Sequence, residues 1–310
     1  MKKTLIASAI AATIASNAMA MDDAADIASK LDAMPTVYGS IELVHVSTDD
    51  DDKTDHEFKD NGSTIGIMHE HMVSEGLTAF AKAEFEFEAD DKNSSSGINT
   101  LDEAYIGLKG DFGSAQVGSD DTVYDWVRML DTSEHVGLGY AFEQDDEGDN
   151  FQYVSPEIAE GITLGVTAPI DSDTNFGGAL AAKYEMDNLA VVLGYSLGRE
   201  ETADTEDVLG LAASFAIDEI TLMAQYETQK DTMDVWGLQG MYTMGQNVFA
   251  LGYQVVSYDG GEDESDIYLQ ALHNLSDNAY IYLEYLMQTD LGGVDGSDLD
   301  TLAIGATYTF

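Results

Sequence analysis

Carboxylates are the groups in this chain most able to act on anything: 59 Asp and Glu stand against 12 Lys and Arg, for a formal net charge of −47. Some come as runs, Asp49 to Asp52 with Asp55, and Asp259-Gly260-Gly261-Glu262-Asp263-Glu264. Such runs offer oxygen ligands for weak binding of Ca²⁺ or Mg²⁺, but the first lacks the Gly and terminal bidentate Glu of an EF-hand, so a solvated acidic tip is the plainer reading there, and the second is similarly ambiguous. Others alternate: Glu84 and Glu86 share a parity with Lys82. Paired carboxylates can do acid/base chemistry, yet acids at period two also arise on any wet strand face. The densest block is 119–150, where Asp120, Asp121, Asp125, Asp131, Glu134, Asp145, Asp146, Glu147 and Asp149 surround one basic residue, Arg128.

Other chemistries are poorly provided for. There is no cysteine, which removes disulfides, thiol nucleophiles and thiolate metal sites. His69 and His71 share one strand face, with Glu70 on the other, but no third metal ligand accompanies them. Neither a nucleophile elbow nor a Ser-His-Asp order is present, so an enzyme is a poor reading. The acidity makes nucleic acid an implausible partner. No cofactor is implied.

The elements that must carry these groups are strands. Leu77, Ala79, Ala81, Ala83, Phe85 and Phe87 alternate with Thr78, Phe80, Lys82, Glu84 and Glu86, and Val37, Gly39, Ile41 and Leu43 alternate with Tyr38, Ser40 and Glu42. Tight turns at Asp187-Asn188, Asp218-Glu219, Gly245-Gln246-Asn247 and Ser276-Asp277-Asn278 interleave with longer, mostly acidic connections at 47–62, 89–98, 119–150, 171–178, 199–207 and 259–266. Tyr195, Tyr226, Trp236, Tyr242, Tyr253, Tyr285, Tyr308 and Phe310 fall on the apolar parity near segment ends, as interfacial girdles do. This pattern predicts an all-β protein, a transmembrane antiparallel β-barrel of about sixteen strands, apolar outside and wet inside. Residues 1–20, with Lys2-Lys3, an apolar stretch and Ala18-Met19-Ala20, read as a secretory signal peptide, and 21–35 as a short acidic tail. The barrel then occupies 36–310, and its polar parity predicts a lumen lined by Glu42, Lys82, Glu84, Glu86, Lys183, Glu185, Glu227 and Glu284.

Several stretches, in order, resemble the Gram-negative general diffusion porins: Val37-Tyr38-Gly39-Ser40, Ala104 to Gly113 with Val117-Gly118, Tyr153-Val154-Ser155-Pro156, and Ala306-Thr307-Tyr308-Thr309-Phe310. The resemblance covers nearly all of 36–310. It implies a homotrimeric outer-membrane barrel, in contact with outer-membrane lipid and lipopolysaccharide, that passes small hydrophilic solutes. It also implies that 119–150 is a third loop folded into the lumen, where Asp125, Arg128, Asp131 and Glu134 would form the constriction. Glu134 lies near the place of a Pro-Glu-Phe stretch that this chain lacks. The family's opposing arginines are replaced here by Thr64, Asp102 and Ser119, with an acidic residue near Asp146. In a regular strand Asp102 and Glu103 face opposite ways, and Asp102 is taken as inward. Rings of acids favour cations, so the expected activity is cation-preferring passive diffusion. The alternative is a surface adhesion or structural barrel whose acidic loops bind divalent cations.

Overall fold

The computed structural model describes residues 34–50, 53–91, 97–98, 100–139, 147–171, 176–198 and 206–310. The signal peptide, the acidic tail up to residue 33, Asp51, Asp52, Asp145, Asp146 and most of 199–207 lie outside the described residues.

Seventeen strand segments form one antiparallel sheet: β1 (Thr36–Asp49), β2 (Thr54–Asp60), β3 (Thr64–Ser74), β4 (Leu77–Glu86), β5 (Thr100–Gly110), β6 (Gly113–Ser119), β7 (Asn150–Val154), β8 (Ile162–Pro169), β9 (Phe176–Met186), β10 (Leu189–Gly198), β11 (Val208–Ile217), β12 (Ile220–Gln229), β13 (Met233–Met244), β14 (Asn247–Tyr258), β15 (Asp263–Ser276), β16 (Ala279–Thr289) and β17 (Leu299–Thr309). Both β2 and β3 pair with β1, at Asp49 to Leu43 and at Gly39 to Thr36, so they are one barrel strand broken at 61–63. The sheet therefore has sixteen staves. It closes where β17 pairs with β1 from Ser40↔Thr309 to Asp49↔Asp300. Closure leaves no edge along that seam, which lets strands cross hydrocarbon with every ladder donor satisfied.

At one end the connections are two-residue turns, at 75–76, 111–112, 187–188, 218–219, 245–246 and 277–278, apart from the seven-residue connection 155–161. Asp187 and Asp218 take φ of 49° and 50°, a left-handed conformation that Asp tolerates better than most side chains. The other end carries the longer connections. The first of these is shorter than the sequence suggested: β1 and β2 extend to Asp49 and from Thr54, so only 50–53 turns, and Asp55 belongs to a strand. Likewise β15 begins at Asp263, and Glu264 is buried, not part of a solvated tip.

One parity is apolar and exposed, including Leu193, Leu211, Leu222, Leu238, Leu251, Leu269, Leu283 and Ile304. Tyr226, Trp236, Tyr242, Tyr253 and Tyr308 share it, and Trp236 and Tyr253 meet edge to face at 5.7 Å. Directly paired residues share a face, so the registers carry this outward parity around the barrel and leave Glu, Gln, Lys and Tyr on the inner one. Leu211→Arg, in the middle of β11, is expected to cost about 2–4 kcal/mol of folding stability in lipid vesicles, and Asp234→Arg, at a strand end, about 0–1 kcal/mol. Guanidinium titration of refolded protein checks this, and equal costs would contradict the outward parity.

Candidate functional site

The site begins with glycines. Gly165, Gly194, Gly210, Gly237 and Gly252 fall on the inward parity of β8, β10, β11, β13 and β14, where they leave room for another layer of chain. Into that room packs the segment after β6. A Cβ on Gly210 would lie 2.6 Å from Val127 Cγ1, one on Gly237 2.5 Å from Leu130 Cδ1, and one on Gly165 2.7 Å from both Val123 Cγ1 and Trp126. The segment opens at Thr122, whose hydroxyl accepts from Tyr124 N, and makes a single 3₁₀ turn over Val123–Val127. Val123, Tyr124, Val127, Leu130 and Leu138 are all buried against strand residues such as Ala181, Val192, Ala212 and Val256, or Tyr268 and Leu286.

Polar contacts fix the register of this packing. Thr167 Oγ1 accepts from Val123 N at 3.0 Å, Glu227 from Tyr124 Oη at 2.5 Å, Gln225 Oε1 from Leu130 N at 3.1 Å, and Gln254 Oε1 from Gly139 N at 3.0 Å. Gln239 donates to Thr132. The strongest hold is Glu284 on β16. Its two oxygens accept from Glu134 N (2.7 Å), His135 N (2.9 Å), Val136 N (3.0 Å), Tyr268 Oη (2.9 Å) and Gln270 Nε2 (2.9 Å). Three successive backbone donors on one buried carboxylate make an anion nest, and charge-assisted bonds of this kind are about twice as strong as neutral ones. Tyr280 Oη donates to Glu134 at 2.6 Å, and Val136 packs with Val44, Tyr282 and Ala303.

Glu227 and Glu284 therefore do not line water, as alternation alone had suggested. Both sit on the inward parity, but both are fully buried, because the 122–139 segment covers them. Glu42, Lys82, Glu84, Glu86, Lys183 and Glu185 also fall on the inward parity. Thr64 does too, opposite Glu86 and 3.4 Å from Ser40 Oγ. Ser119 pairs with Ala104, a register that puts it on the parity of Val117 and Ile106.

The choice between Asp102 and Glu103 dissolves. The β4–β5 register runs Ala83↔Ala104 and then Phe85↔Leu101, so β5 carries one extra residue opposite Glu84. A bulge opposes two residues to one. Ligand oxygens of Glu84, Asp102 and Glu103 consequently lie within 4.8 Å of one another, the one such acidic trio among the described residues. Lys82 bonds Glu103, lies 3.8 Å from Glu84 and covers the Tyr38 ring at 5.7 Å.

Two other cations are also matched. Arg128 pairs with Asp125 at 2.6 Å, and Lys183 pairs with Glu185 at 3.2 Å while lying 5.2 Å over Trp126. Asp125 and Arg128 thus largely cancel, which the sequence did not reveal. His69 and His71 do share a face, their rings stacked at 6.4 Å, and Glu70 on the opposite face pairs with Lys109 at 2.5 Å.

A profile of the Gram-negative porin family matches residues 7–293. The chain belongs to that family. It is an outer-membrane porin, a multi-pass β-barrel diffusion channel, whose relatives are channels and not enzymes. Two relatives are each 28% identical over 100% of this chain and 100% of their own: the monosaccharide porin of Halomonas sp and the major outer membrane protein of Halomonas elongata. Among solved structures, the anion-selective porin of Comamonas acidovorans superposes with a TM-score of 0.76 at 18% identity, covering 89% of this porin and 99% of that chain. That likeness is one of fold.

Glu284→Gln is expected to lower stability by about 2–4 kcal/mol, since an amide turns a donor toward backbone N–H groups and strands buried polar atoms. Glu42→Gln, at a half-buried position, should change little. Denaturant midpoints in detergent compare the two.

Proposed function

We propose that this porin is a cation-preferring passive channel for small hydrophilic solutes, with the 122–139 segment lying across the lumen as its constriction. The observation that carries the reading is the charge balance on the inward face. Glu84, Glu86, Asp102 and Glu103 stand on β4 and β5, with Asp120 and Asp121 just beyond β6; Lys82, Arg128 and Lys183 are each paired with a carboxylate, and Lys59 on β2 adds a single further inward cation. The field left over is negative. Low-dielectric walls focus that field, and it decays over about 8 Å at physiological salt, a length comparable to a narrow pore. Neutral solutes of monosaccharide size pass by the same route in this reading, supported by the name of the Halomonas relative.

A homotrimer fits the outer face. On β3 to β6 that face carries His69, His71, Ala79, Ala81, Ala83, Ala104 and Ala115 among larger apolar residues such as Ile67, Phe85, Ile106 and Leu108. Imidazoles facing lipid are costly, and a neighbouring subunit would cover them. Contacts with lipopolysaccharide, and weak collective binding of Ca²⁺ or Mg²⁺ by the external acidic loops, belong to the same proposal.

Reversal potentials in planar bilayers should favour K⁺ over Cl⁻, most at low salt. Removing one lumen charge by Asp102→Asn or Asp131→Asn should reduce the permeability ratio about fivefold, since a Coulomb energy of about 0.5 kcal/mol at about 8 Å in water acts with opposite sign on K⁺ and Cl⁻. Asp259→Asn in an exposed connection should leave it unchanged. A pore that favours Cl⁻ would sink the reading.

Acid should weaken the preference. Burial pushes Asp120 up to about 6, with Glu103 and Asp121 adding to it and Gln116 opposing, and burial also raises Asp131 and Glu147. Raised carboxylates lose charge at higher pH than ordinary ones, so the K⁺ preference should fall as pH drops from 7 through about 6. Stability moves the opposite way: the cost of burying these charges is in full force above the raised values and is relieved as pH falls through them toward the ordinary carboxylate range, so acid stabilises the fold while it weakens the preference. A ratio that stays flat or rises over that interval excludes Asp120 from the conducting path.

A further inference from the structure

Most bonds that seat the 122–139 segment come from strand side chains aligned by register. Asn61 is different, because it sits in the break between β2 and β3. That break is a built turn. Asp60 Oδ2 accepts from Gly62 N and Ser63 N at 2.9 Å each, and its Oδ1 accepts from Ser63 Oγ at 2.5 Å and Ala89 N at 3.1 Å. Ser63 is fully buried and accepts from Glu42 N at 2.9 Å, while Asn61 N donates to Glu42 O at 2.9 Å. With its backbone held in this way, Asn61 reaches the tip of the segment. Its Nδ2 donates to the Glu134 carbonyl at 2.8 Å and comes within 3.3 Å of Tyr282 Oη, and its Oδ1 lies 2.5 Å from His135 Nδ1.

A carbonyl only accepts, so the amide nitrogen must face Glu134 and the oxygen must face His135. His135 therefore donates from Nδ1–H. That bond is available to neutral and cationic imidazole alike, so acid does not break it.

We propose that Asn61 and His135 are positioning residues of the channel, a latch that ties the segment tip to the β2–β3 side and thereby sets the aperture. The proposal rests on the reading of 122–139 as the constriction. The hydrogen bonds that hold residues 134–136 from strand side chains come from β16, through Glu284 and Tyr280, with Val136 in apolar contact with Val44 and Ala303. Asn61 adds directional bonds from the far side of the β17–β1 seam, which restrict the tip further than apolar contact alone. The charged and titratable groups around His135 are Glu57 and Lys59 on β2, Glu42 on β1, Tyr280, Tyr282 and Glu284 on β16, and Asp131 and Glu134 of the segment. Burial first, then Lys59, holds His135 below its usual range, against Glu284 and Glu57, so the imidazole is neutral where the channel is recorded.

Single-channel recording of the full-length protein in planar bilayers at neutral pH tests the latch. His135→Ala should raise the frequency of brief closures about tenfold, the scale set by losing one buried hydrogen bond, and Asn61→Ala at least as much, since it also loses the bond to the Glu134 carbonyl. The double variant should be no noisier than Asn61→Ala alone, since that change already removes the bond that His135→Ala removes. His135→Gln, whose amide can donate to Asn61, should return the trace to that of the unaltered channel. Unchanged heat-dependent gel mobility confirms that each barrel has folded. If Asn61→Ala disturbs the turn and fails to fold, the two His135 variants carry the test alone. Quiet traces from His135→Ala, or additive noise in the double variant, overturn the latch. Reversal potentials recorded on the same channels keep the two readings apart: a Cl⁻ preference with noisy variants defeats cation selectivity and leaves the latch, and a K⁺ preference with quiet variants does the reverse.

Discussion

Hydrocarbon offers no hydrogen bonds, and the rest of this molecule follows from that. A chain that crosses it with strands must close the sheet, and closure here is the pairing of β17 with β1 over ten successive positions. Once the sheet is closed, alternation has only two destinations, lipid and lumen. The outer parity must then be apolar, and the inner one is free to be polar. The acidity that makes the chain a poor partner for nucleic acid is thereby tolerated, because much of it faces water inside or beyond the barrel.

A cylinder this wide cannot fill itself with its own strand side chains. The 122–139 segment packs as a second layer on the inward parity, and that layer must be attached to a wall that offers no strand edge. The attachment combines shape and charge. Inward glycines on five strands make room for Val123, Val127, Leu130 and Leu138, and buried Glu227 and Glu284 supply acceptors for donors that would otherwise be left unpaired. Each device alone is weak: apolar contact leaves the backbone donors of the segment unsatisfied, and a buried carboxylate without donors is costly. Together they cancel each other's cost.

Electrostatics then works on what remains exposed. The bulge in β5 turns Asp102 and Glu103 to the same side as Glu84, concentrating negative charge where a regular strand would have divided it between lumen and lipid. Lys82, Arg128 and Lys183 are each paired with a carboxylate, so they temper the acidity without reversing it.

The sequence by itself determined the barrel. Period-two alternation, turns at Asp187-Asn188 and Asp218-Glu219, and aromatics such as Trp236 and Tyr253 on the apolar parity are local properties, and the bilayer penalises any register that misplaces them. The inward facing of Glu42, Glu84 and Lys183 was legible for the same reason. What only the tertiary structure decided is which inward residues meet water. Glu227 and Glu284 look identical to Glu84 along the chain, yet they are buried by a segment about a hundred residues or more away in sequence, and no periodicity encodes a covering layer. Asn61, Gln225 and Gln254 acquire their roles from the same long-range contacts. The bulge at Asp102 and Glu103 was hidden as well, since one extra residue in a ladder is defined only by the strand beside it, and a pair of neighbouring acids reads the same whether the ladder is regular or not.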